Sequence, residues 1–297
     1  MPEPRPRVWT RARAFNALFL VPYLALFLVW VIAPAIVGLG LSLTEWSIFT
    51  GEMRFVGLRN YLRVFQDDLF LRSLANTLTY TALSVILGNA VSLLMAYGLA
   101  RGIRGKLVFQ TIFFAPVVLS IGVTGVVWGW LYNGDFGLLN YWLESIGLPR
   151  VHWLSNPRWA MISVIIMVVW AGAGFNMMIY LAGMLNVPRG LYEAAQLDGA
   201  NAWQQWIYVT IPLMKYTFAF TLTVSTIGAF QVFDQPYILT GGGPDYATYT
   251  FVYHIYSNGF RYFRIGYAAA LSYLLALLIF GVVYVQYRLL TRTRVEY

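Results

Sequence analysis

Charged residues cut this chain of 297 residues into long apolar runs. No charge falls between Arg13 and Glu45, Arg72 and Arg101, Lys106 and Asp135, Arg158 and Arg189, Lys215 and Asp234, or Arg264 and Arg288. Each of these gaps holds at least 18 residues, and about 20 helical residues cross a hydrocarbon layer about 30 Å thick. The pattern predicts transmembrane helices over residues 15–41, 74–100, 107–132, 159–181, 212–233 and 267–290. The fifth is the shortest and is rich in Thr, Ser and Gly. Lipid offers a stranded backbone group no water partner, so runs of this length span as helices. The short alternating strands of a β-barrel are absent. The expected fold is an all-α, polytopic membrane protein of about six transmembrane helices. Residues 1–14 read as an N-terminal tail and 15–290 as the membrane domain. A loop at 182–211 and a C-terminal tail at 291–297 complete it.

Composition sharpens this picture. Hydrophobic residues make up 59% of the chain and charged residues 11%, against roughly 25% charged in an ordinary soluble domain. A soluble surface cannot be solvated on so few charges. The net charge of +8 comes from 20 basic residues, all Arg except Lys106 and Lys215. They sit in the short gaps between apolar runs, with no interleaved basic and aromatic patch, so nucleic acid is not an expected partner. There is no cysteine, which excludes disulfides, thiolate metal sites and a cysteine nucleophile. His152 and His254 lie far apart, each in a segment read as loop, so no metal site is expected. The first apolar run is much longer than the 7–15 residues, approximately, of a signal-peptide core, and it reads as a retained helix.

Orientation follows the basic residues. With the N-terminus cytoplasmic, the inner segments carry twelve Arg and Lys against four acids, a net +8, and the outer segments carry eight against eight. The tightest cluster, Arg101, Arg104 and Lys106, falls inside. Both termini are therefore expected in the cytoplasm, and the membrane lipid is the chain's solvent. Pro22, Pro34, Pro116, Gly172, Gly174 and Gly228 fall within spans, where small residues let helices approach closely. Trp46, Trp128, Trp130, Trp159, Tyr267 and Tyr284 near span ends read as interfacial anchors.

Polar residues inside a span are costly and tend to face a cavity. In the fifth span Thr221, Ser225, Gly228 and Gln231 recur near one face. In the fourth, Trp170, Gly174 and Asn176 offer an aromatic plane, space and an amide. These seven are candidate linings of a solute path, since aromatic faces cover C–H patches and amides match hydroxyls. Helix–helix hydrogen bonding accounts for the same residues equally well.

The segment between the fourth and fifth spans, NVPRGLYEAAQLDGANAWQQWIYVTIPLMK, is the most informative. Pro188 suits a helix start and Gly199 a helix end. A second amphipathic stretch with Trp203, Trp206 and Ile207 follows, and Pro212 is read as the start of the fifth span. Such a helix–Gly–helix element lies on a membrane surface or fills a partner's groove.

Glu193-Ala194-Ala195, three residues, Gly199, nine residues, then Val209-Thr210-Ile211-Pro212 resembles the EAA motif of binding-protein-dependent ABC importer permeases. Val209 and Ile211 stand where that pattern has Ile and Leu. LTGGGPDYATYT at 239–250, with the aromatic stretch after it, is similar to the sugar-type permeases of the same superfamily, the maltose and glycerol-phosphate kind.

The resemblance implies a type I ABC importer permease-like fold and a complex. This chain would pair with a second permease subunit, two ATPase subunits and an external solute-binding protein in a bacterial inner membrane. It implies no cofactor in this chain, with ATP and Mg bound by the ATPase, and no phosphate-cradling G-x-x-x-x-G-K-[ST] occurs here. It assigns ATPase coupling to Glu193, Ala194, Ala195, Asp198, Gly199 and Pro212, and favours a sugar or oligosaccharide as solute. Two rival classes fit less well. A secondary carrier needs intramembrane charges for ion coupling, and no charge lies well inside any gap. A membrane enzyme needs grouped acids or histidines, and Asp67-Asp68 and the Glu193/Asp198 pair fall on opposite sides without one.

Overall fold

The structure, a computed structural model, describes residues 8–46 and 51–291. They fall into two compact units: the chain through Val64 with Asn258–Tyr273, and Phe65–Ser257 with the stretch from Leu274 onward. Arg5, Arg7, Arg292 and Arg294, and most of both expected tails, lie outside the described residues.

In the first unit, α1 (Val8–Phe27) runs through a π-helical turn, Leu28–Ile32, into α2 (Ala33–Ser42). A helix already exists at Val8, inside the segment expected to be a tail. The π turn immediately precedes Pro34, which has no N–H to offer the carbonyl one turn back, and a widened turn absorbs that loss. Leu18–Ser42 is long and apolar enough to span a membrane, and none of its most apolar stretch is buried within the chain. Two short strands follow, β1 (Thr44–Trp46) and β2 (Met53–Phe55), paired antiparallel with Thr44 opposite Phe55. This hairpin is the one strand pairing among the described residues of an otherwise helical fold. α3 (Arg59–Val64) closes the segment, and buried Asn60 ties it down by donating to the Ser42 and Thr44 carbonyls, each at 2.9 Å. Tyr267, expected as an interfacial anchor, is instead buried, with the Arg63 guanidinium over its ring.

The second unit opens with α4 (Asp68–Ala100), six residues ahead of the expected start. Asp67 caps it, its carboxylate accepting from the N–H groups of Leu69 (3.0 Å) and Phe70 (3.2 Å). That cap explains the early start, because it satisfies donors a helix end leaves open. The expected third span is two helices, α5 (Lys106–Val118) and α6 (Ile121–Leu131), bent by 100°. Leu119 and Ser120 are both extended, with ψ of 139° and 136°, which breaks the helix just after Pro116.

α7 (Leu138–Ser145) leads into a loop organised by Asn140, whose side chain bonds Gly134, Val151 and Trp153. Nearby, Arg150 pairs with Glu144 and holds that carboxyl below its ordinary value. α8 (Pro157–Leu185) follows, capped by Asn156. Then come α9 (Arg189–Leu197), α10 (Ala202–Gln205), a π turn at Trp206–Thr210, and α11 (Ile211–Leu213). The fifth span, α12 (Lys215–Phe230), makes a 70° angle with the segment before it. Pro212 therefore lies in the preceding helical segment instead of starting the span, and again a π turn precedes a proline. α13 (Asp234–Leu239), α14 (Phe251–Tyr256) and the long α15 (Ile265–Thr291) end the chain. Among the described residues four helices are long and apolar enough to span, and the number reaches six when each bent pair counts as one span.

The core of the second unit is the α4–α8 pair. Ala96, Leu99, Met177, Tyr180, Leu181 and Met184 form one buried cluster. Polar bonds cross it: Ser92 donates to the Ala173 carbonyl (2.8 Å) and the Tyr180 hydroxyl to Asn89 (2.8 Å). Small polar residues let the backbones approach, and their bonds have no water competitor.

Candidate functional site: a polar cavity and an exposed elbow

α4, α8, α12 and α13 enclose a cavity of about 380 Å³, within the size range of small-molecule sites. Of the predicted linings, Asn176, Ser225, Gly228 and Gln231 border it. Asn176 and Ser225 meet directly, the amide donating to the hydroxyl at 3.0 Å. Three predicted residues lie elsewhere. Thr221 is fully buried, its hydroxyl bonded to the Thr217 carbonyl at 2.7 Å. Gly174 is the point where α5 touches α8: a Cβ there would run into the backbone of Phe113 and Phe114. Trp170 packs edge-on against Trp128, with ring centres 5.6 Å apart.

The cavity also has walls that the sequence reading missed. Tyr80, Ser84, Gly88 and Asn89 of α4 border it, as do Phe233, Asp234 and Gln235. Tyr80, Ser84 and Gly88 recur every fourth residue, one stripe of a helix. That spacing, with the costly Asn89 beside it, was a readable signal. Asp234, the first residue of α13, is the cavity's only charged wall among the described residues, and the wall carries no Lys, Arg or His.

The 188–212 segment is an elbow. α9 ends in a turn where the Gly199 N–H bonds the Gln196 carbonyl (3.0 Å) and the Ala200 N–H the Ala195 carbonyl (2.9 Å). Gly199 has φ +81°, the left-handed conformation this closure needs. Asn201 then starts α10 in a reciprocal cap with Gln204, at 2.8 and 2.9 Å. No residue of α9 or α10 is buried. Glu193, Ala194, Asp198, Gly199 and Pro212 are exposed and Ala195 is half-buried. Leu197 is 90% exposed and Trp203 59%. Apolar residues left in the open on an amphipathic helix mark a surface that meets a partner or a membrane.

The glycine-rich stretch Gly241–Pro244 is a turn packed on tyrosines. The Tyr253 hydroxyl donates to the Gly241 carbonyl (2.9 Å), and Thr248 to that of Gly243 (2.9 Å). His254, read as a loop residue, lies buried in α14 with its Nε2 3.2 Å from Asp67. Burial lowers its pKa, and the Asp67 carboxylate opposes that shift. Asp245 pairs with Arg72 at 3.0 Å.

Comparison with known proteins agrees with this architecture. Residues 88–295 match the family described as binding-protein-dependent transport system inner membrane component. The probable ABC transporter permease protein YurN of Bacillus subtilis is 38% identical over 263 residues, covering 86% of this chain and 88% of its own. The lactose transport system permease protein LacF of Rhizobium radiobacter is 33% identical, covering 91% and 92%. Among solved structures, a chain of a bacterial ABC transporter involved in the import of the acidic polysaccharide alginate superposes with a TM-score of 0.84 at 27% identity, covering 98% of this chain and all of that one. Matched over most of its length by these permeases, the chain is a membrane transport subunit, as they are, rather than an enzyme. It belongs to the family of inner-membrane components of binding-protein-dependent ABC transport systems.

Proposed function

We infer that this chain forms half of the translocation path of an importer for a sugar or oligosaccharide, and that its α9–α10 elbow transmits ATPase closure to the path. The single observation carrying this is the elbow itself: two capped helices around Gly199 with no buried residue and with Leu197 and Trp203 in the open. Rigid caps on both sides of a turn suit an element that must transmit a push without melting. In this reading Glu193 makes a charged contact, Ala194 and Ala195 allow close packing, and Asp198, Gly199 and Pro212 fix the turn and its connection to α12.

The elbow and both termini face the cytoplasm. Two ATPase subunits hold the ATP and Mg, a second permease completes the path, and an external binding protein delivers solute. The polar cavity supports a saccharide: Asn176, Ser225, Gln231 and Asn89 offer amides and a hydroxyl, and Phe175 and Phe233 offer apolar faces. The lactose permease among the relatives supports the same class. Single cysteines at residues 190–206, crosslinked in the assembled complex, test the elbow. Crosslinks should run to the ATPase, and none anywhere in that stretch would refute the assignment.

A further inference from the structure

A second cavity, of about 330 Å³, lies beside the elbow, bordered by the end of α4, the end of α8, and the α9–α10 segment. Its chemistry differs from that of the first. Two arginines line it, Arg101 at the C-terminal cap of α4 and Arg189 at the start of α9, and no Asp or Glu does. Neither arginine makes an ion pair among the described residues, and both are exposed. The rest of the wall is aromatic and aliphatic. The Arg101 guanidinium sits 4.8 Å from the centre of the Tyr97 ring, and that ring lies 4.8 Å from Trp206. Trp206 is 8% exposed, and its indole N–H is buried without a hydrogen-bond partner. On the far wall, the Tyr192 hydroxyl lies 2.8 Å from that of Thr210 and braces α9 against the π turn.

Two unpaired guanidinium groups in a concave site with no carboxylate recognise a doubly charged oxyanion, phosphate above all. The aromatic faces add room for a body with C–H patches. The geometry points to a binding site for a phosphomonoester, a phosphorylated sugar, at the joint between the elbow and the α4–α8 core. A ligand there bridges Arg101 of the core to Arg189 of the elbow and stiffens the element that must move. Import then slows as phosphorylated sugar accumulates. The regulatory part rests on the coupling role proposed above, whereas the binding part does not.

The test uses the complete transporter in lipid discs, with radiolabelled glucose phosphate as the probe and glucose and inorganic phosphate as competitors. Glucose phosphate is expected to bind in discs of neutral phosphatidylcholine and glucose is not. Arg101→Gln and Arg189→Gln should each weaken binding roughly tenfold, the loss of one charge-assisted contact. Lys106→Gln, which removes a nearby charge outside the cavity, should not. Ala202→Phe, which fills the space and spares both arginines, should also abolish binding. Discs containing phosphatidylglycerol separate two sources of the same chemistry. Competition by that lipid, lost in the double arginine variant, assigns the phosphate to a lipid headgroup. Absence of binding in neutral discs with no such lipid effect overturns the site, as does wild-type affinity in the double variant. A complex whose elbow fails to crosslink to the ATPase yet binds glucose phosphate defeats only the coupling role.

Discussion

Asp67 serves two elements at once: its carboxylate caps α4 through Leu69 and Phe70, and lies 3.2 Å from Nε2 of buried His254 in α14. The imidazole also packs edge-on against Tyr249, ring centres 5.8 Å apart. Burial is the larger influence on His254 and holds its pKa below the ordinary 6.5, with Asp67 pulling the other way. The unfolded chain therefore binds more protons than the folded one below pH 6.5. Stability is full above that pH and falls as acid is added. His254→Gln should flatten this part of the thermal-melting profile of the purified complex. Asp67→Asn keeps the cap, removes the charge that favours protonation, and should make the acid loss steeper. A melting profile independent of pH in the wild type would contradict the assignment.

Gly172 and Gly174 sit two residues apart in α8 and should behave oppositely. A Cβ at Gly174 meets the Phe113 and Phe114 backbone, whereas one at Gly172 meets nothing within 4 Å. Gly174→Ala should destabilise by roughly 1–3 kcal/mol, because backbone cannot yield as a side-chain tip can. Gly172→Ala should leave the melting temperature unchanged.

At Gly199 the cost is conformational alone, since nothing lies within 4 Å and φ is +81°. Gly199→Ala should cost roughly 1–2 kcal/mol locally, and Gly199→Asn less, because Asn tolerates the left-handed region. The coupling assignment adds a sharper outcome: ATP hydrolysis stimulated by solute-loaded binding protein should fall further for Ala than for Asn. Equal coupling in both variants would count against a role for the turn geometry.

In the cavity, Asn176→Ala, Ser225→Ala and Gln231→Ala should each lower transport severalfold while assembly, read by size-exclusion chromatography, is retained. Thr221→Val, which removes a buried hydroxyl that does not border the cavity, serves as the contrast. Unchanged transport in all three alanine variants would remove the cavity from the path.

Much of the fold was legible because lipid imposes a one-dimensional rule: a span needs length and lacks charge. The gaps in charge therefore located every span, including the two that prove bent. The bends were not legible, since Leu119 and Ser120, whose backbone is extended, carry no strong breaker signal. The elbow was legible for a different reason. Its caps are local, and Gly199, Asn201 and Gln204 act on neighbours within four residues.

The cavity shows the limit. Spacing along α12 brought together Ser225, Gly228 and Gln231, yet the same spacing included Thr221, which packs inward. Periodicity fixes which residues share a helix face but not which neighbour covers that face. The sequence alone determined a membrane chain with six apolar spans and a capped elbow, because hydropathy and capping act over one helix or one turn. Tertiary structure alone decided that Asn176 meets Ser225, that α4 supplies a wall of the cavity, and that Asp67 meets His254. Those pairs lie 49 residues or more apart, and only the packing of one helix on another brings groups so distant in sequence into hydrogen-bonding range.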